Sequence, residues 1–452
     1  MFSENNVDVL LGNPKKALLS MSIPLIISLL ISSLYNLIDA MWVSSLGADA
    51  LAGVGFVTPI FMILIGFGNG LGAGSAFALS KYIGEKNKQK ADNGSIHSIL
   101  ITIVISIILT IILLVFLKDI LILMGAGQTV DFAMDYGAVI VTGSVFVILS
   151  NALYGIFRGE GDSSRPMYAM IASAVLNIIL DPIFIYTLGL GVTGAAVATL
   201  ISSLFVILVL SYWFYIKKDT YLKPNLANFK FKKEITFDII KVGLPASLQL
   251  LNNAFFAAVF SALLAFISST DSVAVYSTGW RVVTIGTTPI LAIGTALVSV
   301  IAANYGARNY ENIRIAHRYS MKISMIFAVI VMILTIVFAP QIASVFASGS
   351  SARISSELTS FLMWIVLYYP TMAVGVASTY VFQGVGRGIT AMFQTILRET
   401  GFTLCFALLF TLVFGWGVWG AWMGIVLGEV VSNNVTLIWA NSCINKLIYF
   451  DS

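Results

Sequence analysis

Cysteine, histidine and charge are all scarce in this chain. Of its 452 residues two are Cys and two are His, and 10 % are Asp, Glu, Lys or Arg, against roughly 25 % charged in ordinary soluble domains. Cys405 and Cys443 both sit inside apolar runs, so there is no disulfide framework. His97 and His317 are expected in charged loops, which leaves no His/Cys/carboxylate cluster for a catalytic metal and no buried Ser/His/Asp set for hydrolysis. An enzyme is therefore not expected. The net charge of +4 follows from where the lysines lie and needs no nucleic-acid partner. The length would allow about three soluble domains at ~150 residues each, yet no stretch between Ala17 and Ile444 has the required polarity or strand alternation. The first sixteen residues carry Glu4 and Asp8 and lead into a full-length span, unlike a cleavable signal peptide.

What the chain has in abundance is apolar residues, 58 % of the total. A membrane-spanning helix needs ~20 mainly apolar residues, and twelve such runs are present: 17–45, 50–78, 96–117, 131–157, 167–188, 192–216, 236–267, 273–301, 319–346, 357–383, 390–414 and 417–444. The expected fold is an all-α polytopic membrane protein. Nearly all Lys and Arg outside the spans fall in the two terminal arms and in the loops after spans 2, 4, 6, 8 and 10, with Lys118 and Arg353 on the other side. Cytoplasmic loops carry the basic excess, so both termini are expected in the cytoplasm, with the chain multi-pass in the cell membrane.

A repeat at an offset of 221 to 226 residues runs through the sequence. Pro24 matches Pro245, and Gly84 and Asn87 match Gly306 and Asn309. Gly189-x-Gly191-Val192-x-Gly194-Ala195 likewise matches Gly415-x-Gly417-Val418-x-Gly420-Ala421. Six spans per unit return the chain to its starting side, so the repeats are parallel, as in transporters that bind substrate between two rocking halves. The expected organisation is an N-terminal lobe, 1–216, a cytoplasmic linker, 217–235, and a C-terminal lobe, 236–452.

Ionisable residues inside a membrane are expensive and mark functional sites by default. Asp39 lies six residues before the end of span 1 and Asp181 seven before the end of span 5, each about 10 Å below the external surface. Tyr35, Asn36, Tyr136, Asn177 and Thr199 fall near the same depth. Such a set can hold a proton, or a hard cation such as Na⁺ on carboxylate, amide and hydroxyl oxygens; the residue types leave both open. Pro24 and Pro182 each remove a backbone hydrogen bond, which permits a bend. Offset matching puts Phe260 and Phe406 near the second-half places of Asp39 and Asp181. There, Arg281, Arg398, Glu399 and Glu429 suggest a buried Arg–Glu pairing, and Gln249, Asn252, Asn253, Phe61, Met62, Met170 and Met372 are candidates to line a central cavity.

Several segments carry a family resemblance. Leu34-Tyr35-Asn36-Leu37-Ile38-Asp39, Leu46-Gly47-Ala48-Asp49-Ala50-Leu51-Ala52, Arg158-Gly159-Glu160-Gly161-Asp162 and Asn177-Ile178-Ile179-Leu180-Asp181-Pro182 resemble the multidrug and toxic compound extrusion (MATE) transporters, most closely their DinF-like prokaryotic branch. The resemblance implies a monomeric antiporter in the lipid bilayer. It would expel organic cations or amphipathic drugs in exchange for H⁺ or Na⁺, with no cofactor beyond that ion. It implies an ion-coupling site at Asp39, Asp181, Asn177 and Thr199, with Tyr136 nearby; the first four would be the ligands if the ion is Na⁺. It also implies substrate contacts at Tyr35, Asn36, Asn151 and Tyr154, and gating roles for Pro24 and Glu160. The NorM branch places carboxylates on spans 7 and 10, where this chain has none inside the membrane. A lipid-linked oligosaccharide flippase, from the wider superfamily, and a channel or sensor are the alternative readings.

Overall fold

The computed structural model describes residues 2–347 and 349–449. A short α1 (Phe2–Leu11) precedes α2 (Pro14–Ser44), α3 (Ala48–Gly84), α4 (Lys88–Leu123), α5 (Val130–Thr142), α6 (Ser144–Gly159), α7 (Ser164–Pro182) and α8 (Gly191–Ser211). The second half follows with α9 (Lys233–Ile267), α10 (Thr270–Gly306), α11 (Tyr310–Phe346), α12 (Ser355–Ile365), α13 (Tyr368–Gly384), α14 (Gly388–Ile396), α15 (Leu404–Leu408) and α16 (Gly417–Tyr449). Among the described residues ten helices, some extended by a π-helical turn, are long and apolar enough to span a bilayer. Counting each of two bent pairs as one further span brings the total to twelve.

The fourth and tenth spans were expected as single helices and are broken. The segment through α5 and α6 bends by 52° at Gly143, and that through α12 and α13 by 50° around Val366–Leu367. The expectation that the two histidines lie in loops is also corrected. Several helices run past the apolar core of their spans on the basic side, so these charged stretches are helical. His97 is buried on α4, where its Nε2 accepts from the Lys232 amide at 3.0 Å. His317 is buried on α11, its Nε2 3.2 Å from Ser378 Oγ.

The duplication is written into the backbone. A π-helical turn at Ile183–Thr187 is followed by Gly189 and Gly191 at φ +65° and +56°. The same turn recurs at Leu409–Val413 before Gly415 and Gly417 at φ +69° and +56°, a left-handed conformation open to glycine at no steric cost. Asn87 and Asn309 cap α4 and α11 identically, each accepting from the backbone N–H three residues on. These turns align Ala407, one residue from the expected Phe406, with Asp181.

Apolar side chains divide by depth. At the end of the bundle away from the termini, one cluster is drawn wholly from the first half (Val57, Leu64, Ile140, Val147) and another wholly from the second (Phe260, Tyr276, Phe361, Trp422). At the end carrying the termini both clusters mix the halves: Leu18 and Met21 pack with Ile293 and Leu297, and Phe77 and Ile83 with Ile239 and Ala302. The halves are thus joined at the inner end and separate at the outer, leaving a cleft between them. Glycines permit the inner contact. A methyl group on Gly74 would lie 2.7 Å from the Gly243 amide nitrogen, and one on Gly84 would lie 2.9 Å from the Ala307 amide nitrogen. These two glycines of α3 are points of close helix approach.

Candidate functional site

The cleft holds a cavity of about 680 Å³ between the halves. Tyr35, Asn36, Asn151 and Tyr154, the expected substrate contacts, all line it, as do Phe61, Met62, Met170, Met372, Gln249 and Asn253. Asn252 stands behind this wall, donating to Glu399.

The expected ion-coupling residues converge on one spot. Asp39 near the end of α2 and Asp181 near the end of α7 face one another within hydrogen-bonding reach. Such a contact between two carboxyl groups requires a shared proton, or a cation in its place. With its amide nitrogen toward the carboxylate, Asn177 donates to Asp181 Oδ2 at 2.8 Å while its oxygen accepts from the Thr199 amide at 3.2 Å. Tyr35 hydrogen-bonds the Thr199 side chain, and Tyr136 stands beside both aspartates and Tyr35. One oxygen of each aspartate, Oδ1 in both cases, is buried without a hydrogen-bond partner. Neither aspartate lines the cavity, whereas Tyr35, Asn177 and Thr199 do. The carboxylates therefore sit behind a polar wall that separates them from the cleft.

The two expected gating residues occupy different levels. Pro24 is buried within α2, which continues through it as one helix. Glu160 lies in the turn after α6, where its Oε2 accepts from the Leu222 amide at 2.8 Å. Asp162 accepts from the Ser164 and Arg165 amides and from the Arg165 guanidinium, and Arg165 also reaches Asp219 at 3.1 Å. This buried network straps the segment between the halves to the first half. Burial pushes the Glu160 carboxyl up to about 8, with the neighbouring Asp162 adding to the rise.

The second-half Arg–Glu pairing forms, but with Arg398. Its guanidinium donates to Glu399 at 2.9 Å, and its Nε lies 3.7 Å from Glu429. Glu399 also accepts from Asn252 at 2.7 Å and from Asn253 at 2.9 and 3.0 Å, while Glu429 accepts from Asn433 at 2.8 Å. Arg281 is corrected out of this group: its side chain is exposed on α10 and has no ion pair among the described residues.

Two features escaped the sequence reading. One is a latch across the halves at the inner end: Asp238 on α9 accepts from Lys81 at 2.7 Å and Tyr82 at 2.8 Å, both on α3, and from Lys241. Its only signal was an acidic residue between Lys233 and Lys241 at the start of the seventh apolar run. The other is Arg158, which counted as one more basic loop residue and is instead buried in the cavity wall.

The model of the MatE family matches residues 24–183 and again residues 245–409, so both halves carry it and both matches start on a proline. This chain belongs to the MATE family. It is a membrane transporter, and not an enzyme. A solved MATE transporter described as an outward-facing conformation of a multidrug resistance MATE family transporter shares 37 % identity at a TM-score of 0.95, over 99 % of this chain and 100 % of the other. The multidrug export protein MepA of Staphylococcus aureus is 28 % identical over 85 % of this chain and 84 % of its own length. An FAD transporter of Shewanella oneidensis is 28 % identical over 78 % of each chain.

Proposed function

We propose that this MATE protein is a secondary active antiporter of the cell membrane, with both termini cytoplasmic, that exports cationic or amphipathic organic compounds in exchange for H⁺ or Na⁺. The observation that carries the reading is the Asp39–Asp181 pair, with its unpartnered oxygens, set one layer behind a large cavity. An ion entering there neutralises the pair without competing for the volume that substrate fills. Tyr35 and Thr199 both line the cavity and touch the ion site, so ion loading and substrate contact share side chains.

The cleft opens away from the termini, the arrangement in which substrate leaves and the coupling ion enters. In the alternating-access cycle the lobes, 1–216 and 236–452, then rock about the inner contact, and the ion departs to the cytoplasm. With one H⁺ entering under ~100 mV, about 2.3 kcal/mol is available besides the pH gradient. The test is dye efflux from proteoliposomes under separately imposed proton and sodium gradients. Wild type should respond to at least one gradient, and Asp39→Asn and Asp181→Asn, at equal protein levels, should respond to neither. Undiminished gradient-driven efflux in either variant refutes the mechanism, and conductance without saturable exchange would make the protein a channel.

A further inference from the structure

Of the two arginines that are more than nine-tenths buried among the described residues, Arg165 is neutralised by Asp162 and Asp219. Arg158, 7 % exposed, has no ion pair among the described residues, and its Nε has no hydrogen-bond partner. It lies at the end of α6, and its guanidinium faces the cavity next to Tyr154 from the first half and Tyr380 from the second. The absence of a side chain at Gly72 leaves room beside it: a methyl group there would come to 3.4 Å from the Arg158 terminal nitrogen.

A buried, unpaired guanidinium is costly to keep, and its planar fork fits a carboxylate or phosphate. The opposite wall carries the complementary charge. Arg398 faces two carboxylates, Glu399 and Glu429, so the second half presents one negative charge in excess. Thr403 and Tyr276, both buried and both lining the same cavity, have hydroxyls with no hydrogen-bond partner.

We propose that Arg158 is an anion seat on the cavity floor, which receives the carboxylate or phosphate of an amphiphilic substrate, with zwitterions held best because their cationic end meets the Glu399–Glu429 wall. The proposal rests on the transport reading above, and it names the substrate class.

The test uses a carboxyl rhodamine and its methyl ester, which differ only in the anionic group. With the full-length protein in phosphatidylcholine nanodiscs, binding is read from quenching of protein tryptophan fluorescence; Trp280 lines the cavity. Transport is read in proteoliposomes of the same lipid. Wild type should bind the free acid about ten-fold more tightly than the ester, the worth of one charge-assisted contact. Arg158→Gln should bring that ratio close to one, and Arg158→Lys, which keeps the charge, should retain part of it.

Equal binding of acid and ester by wild type, or an Arg158→Gln variant that weakens both alike, overturns the proposal. Binding decides it even if no gradient drives efflux, an outcome that would refute the transport reading separately. Adding phosphatidylglycerol to the discs identifies the source of the anion. Competition with the free acid in wild type, absent in Arg158→Gln, makes the seat a lipid headgroup site; no competition makes it a site for soluble substrate.

Discussion

Adding one methyl group to the closed end of the bundle should prise it open. Gly84 and Gly306 occupy matched places in the two repeats and face each other's helices. A methyl on Gly84 would lie 2.9 Å from the Ala303 carbonyl carbon and the Ala307 amide nitrogen, and one on Gly306 would lie 2.9 Å from the Lys81 carbonyl carbon. Ordinary contact begins at 3.4 Å, and the Ala303 and Lys81 carbonyl oxygens, both backbone, are nearer still, so α3 and α10 must separate by more than about an ångström. Overpacking of this kind costs about 1–3 kcal/mol. Separating the inner ends relieves it, so the inner-open state gains about 5- to 150-fold in population relative to wild type.

The assay is maleimide labelling of a reporter, Val298→Cys, in the cavity wall, with Cys405 and Cys443 replaced by Ser. Labelling from the end that carries the termini should accelerate by about five-fold or more in Gly84→Ala. Gly55→Ala is the control, since nothing lies within 4 Å of a methyl group at that position of the same helix. Equal labelling rates in wild type, Gly84→Ala and Gly55→Ala would refute the reasoning that backbone proximity at these glycines holds the inner end shut.

Three further outcomes are expected. Asp238→Asn removes the charge that pairs with Lys81 and Lys241, at a cost of about 1–3 kcal/mol, and should accelerate the same reporter's labelling; an unchanged rate means the latch does not hold the halves. Arg398→Met strands Glu399 and Glu429 without their cation and should lower thermal stability by about 3–5 kcal/mol, largely restored when both glutamates become Gln; if the triple variant melts no higher than Arg398→Met, the loss is one of packing. Glu160, raised from 4.5 to about 8, stabilises the fold in its protonated form, a contribution complete below about 4.5 and lost as pH rises through about 8. Thermal stability should therefore fall as pH rises from about 4.5 to about 8 in wild type and level off above it, and this part of the fall should be absent in Glu160→Gln.

The spans were legible because a bilayer demands long apolar runs, and the repeat was legible because glycine, proline and Asn caps keep their places when other residues drift. Asp39 and Asp181 stood out for the same reason: no packing role justifies a carboxylate where a neutral residue would serve. Breaks at Gly143 and near Val366 were hidden because a bend of 50° leaves hydropathy unchanged. Arg158 and Asp238 were hidden because charge patterning reports which side of the membrane a residue is near, and not whether it turns inward to a cavity or a neighbouring helix. Arg281 and Arg398 looked alike in sequence. Their difference is one of facing: Arg281 is exposed on α10, whereas Arg398 lies in the π-helical segment Leu397–Thr403 after α14 and turns to Glu399 and Glu429.

The division of the apolar clusters by depth has a calorimetric consequence. Parting the inner ends exposes the surfaces of Leu18, Met21, Ile293 and Leu297, together with Phe77 and Ala302, to the aqueous path that then enters from that side, while the outer clusters stay whole. Hydrating apolar surface raises heat capacity. The step that admits water to the inner end should therefore carry a positive heat-capacity change, and turnover limited by that step should give a curved Eyring plot, as in a partial unfolding confined to one end of the bundle.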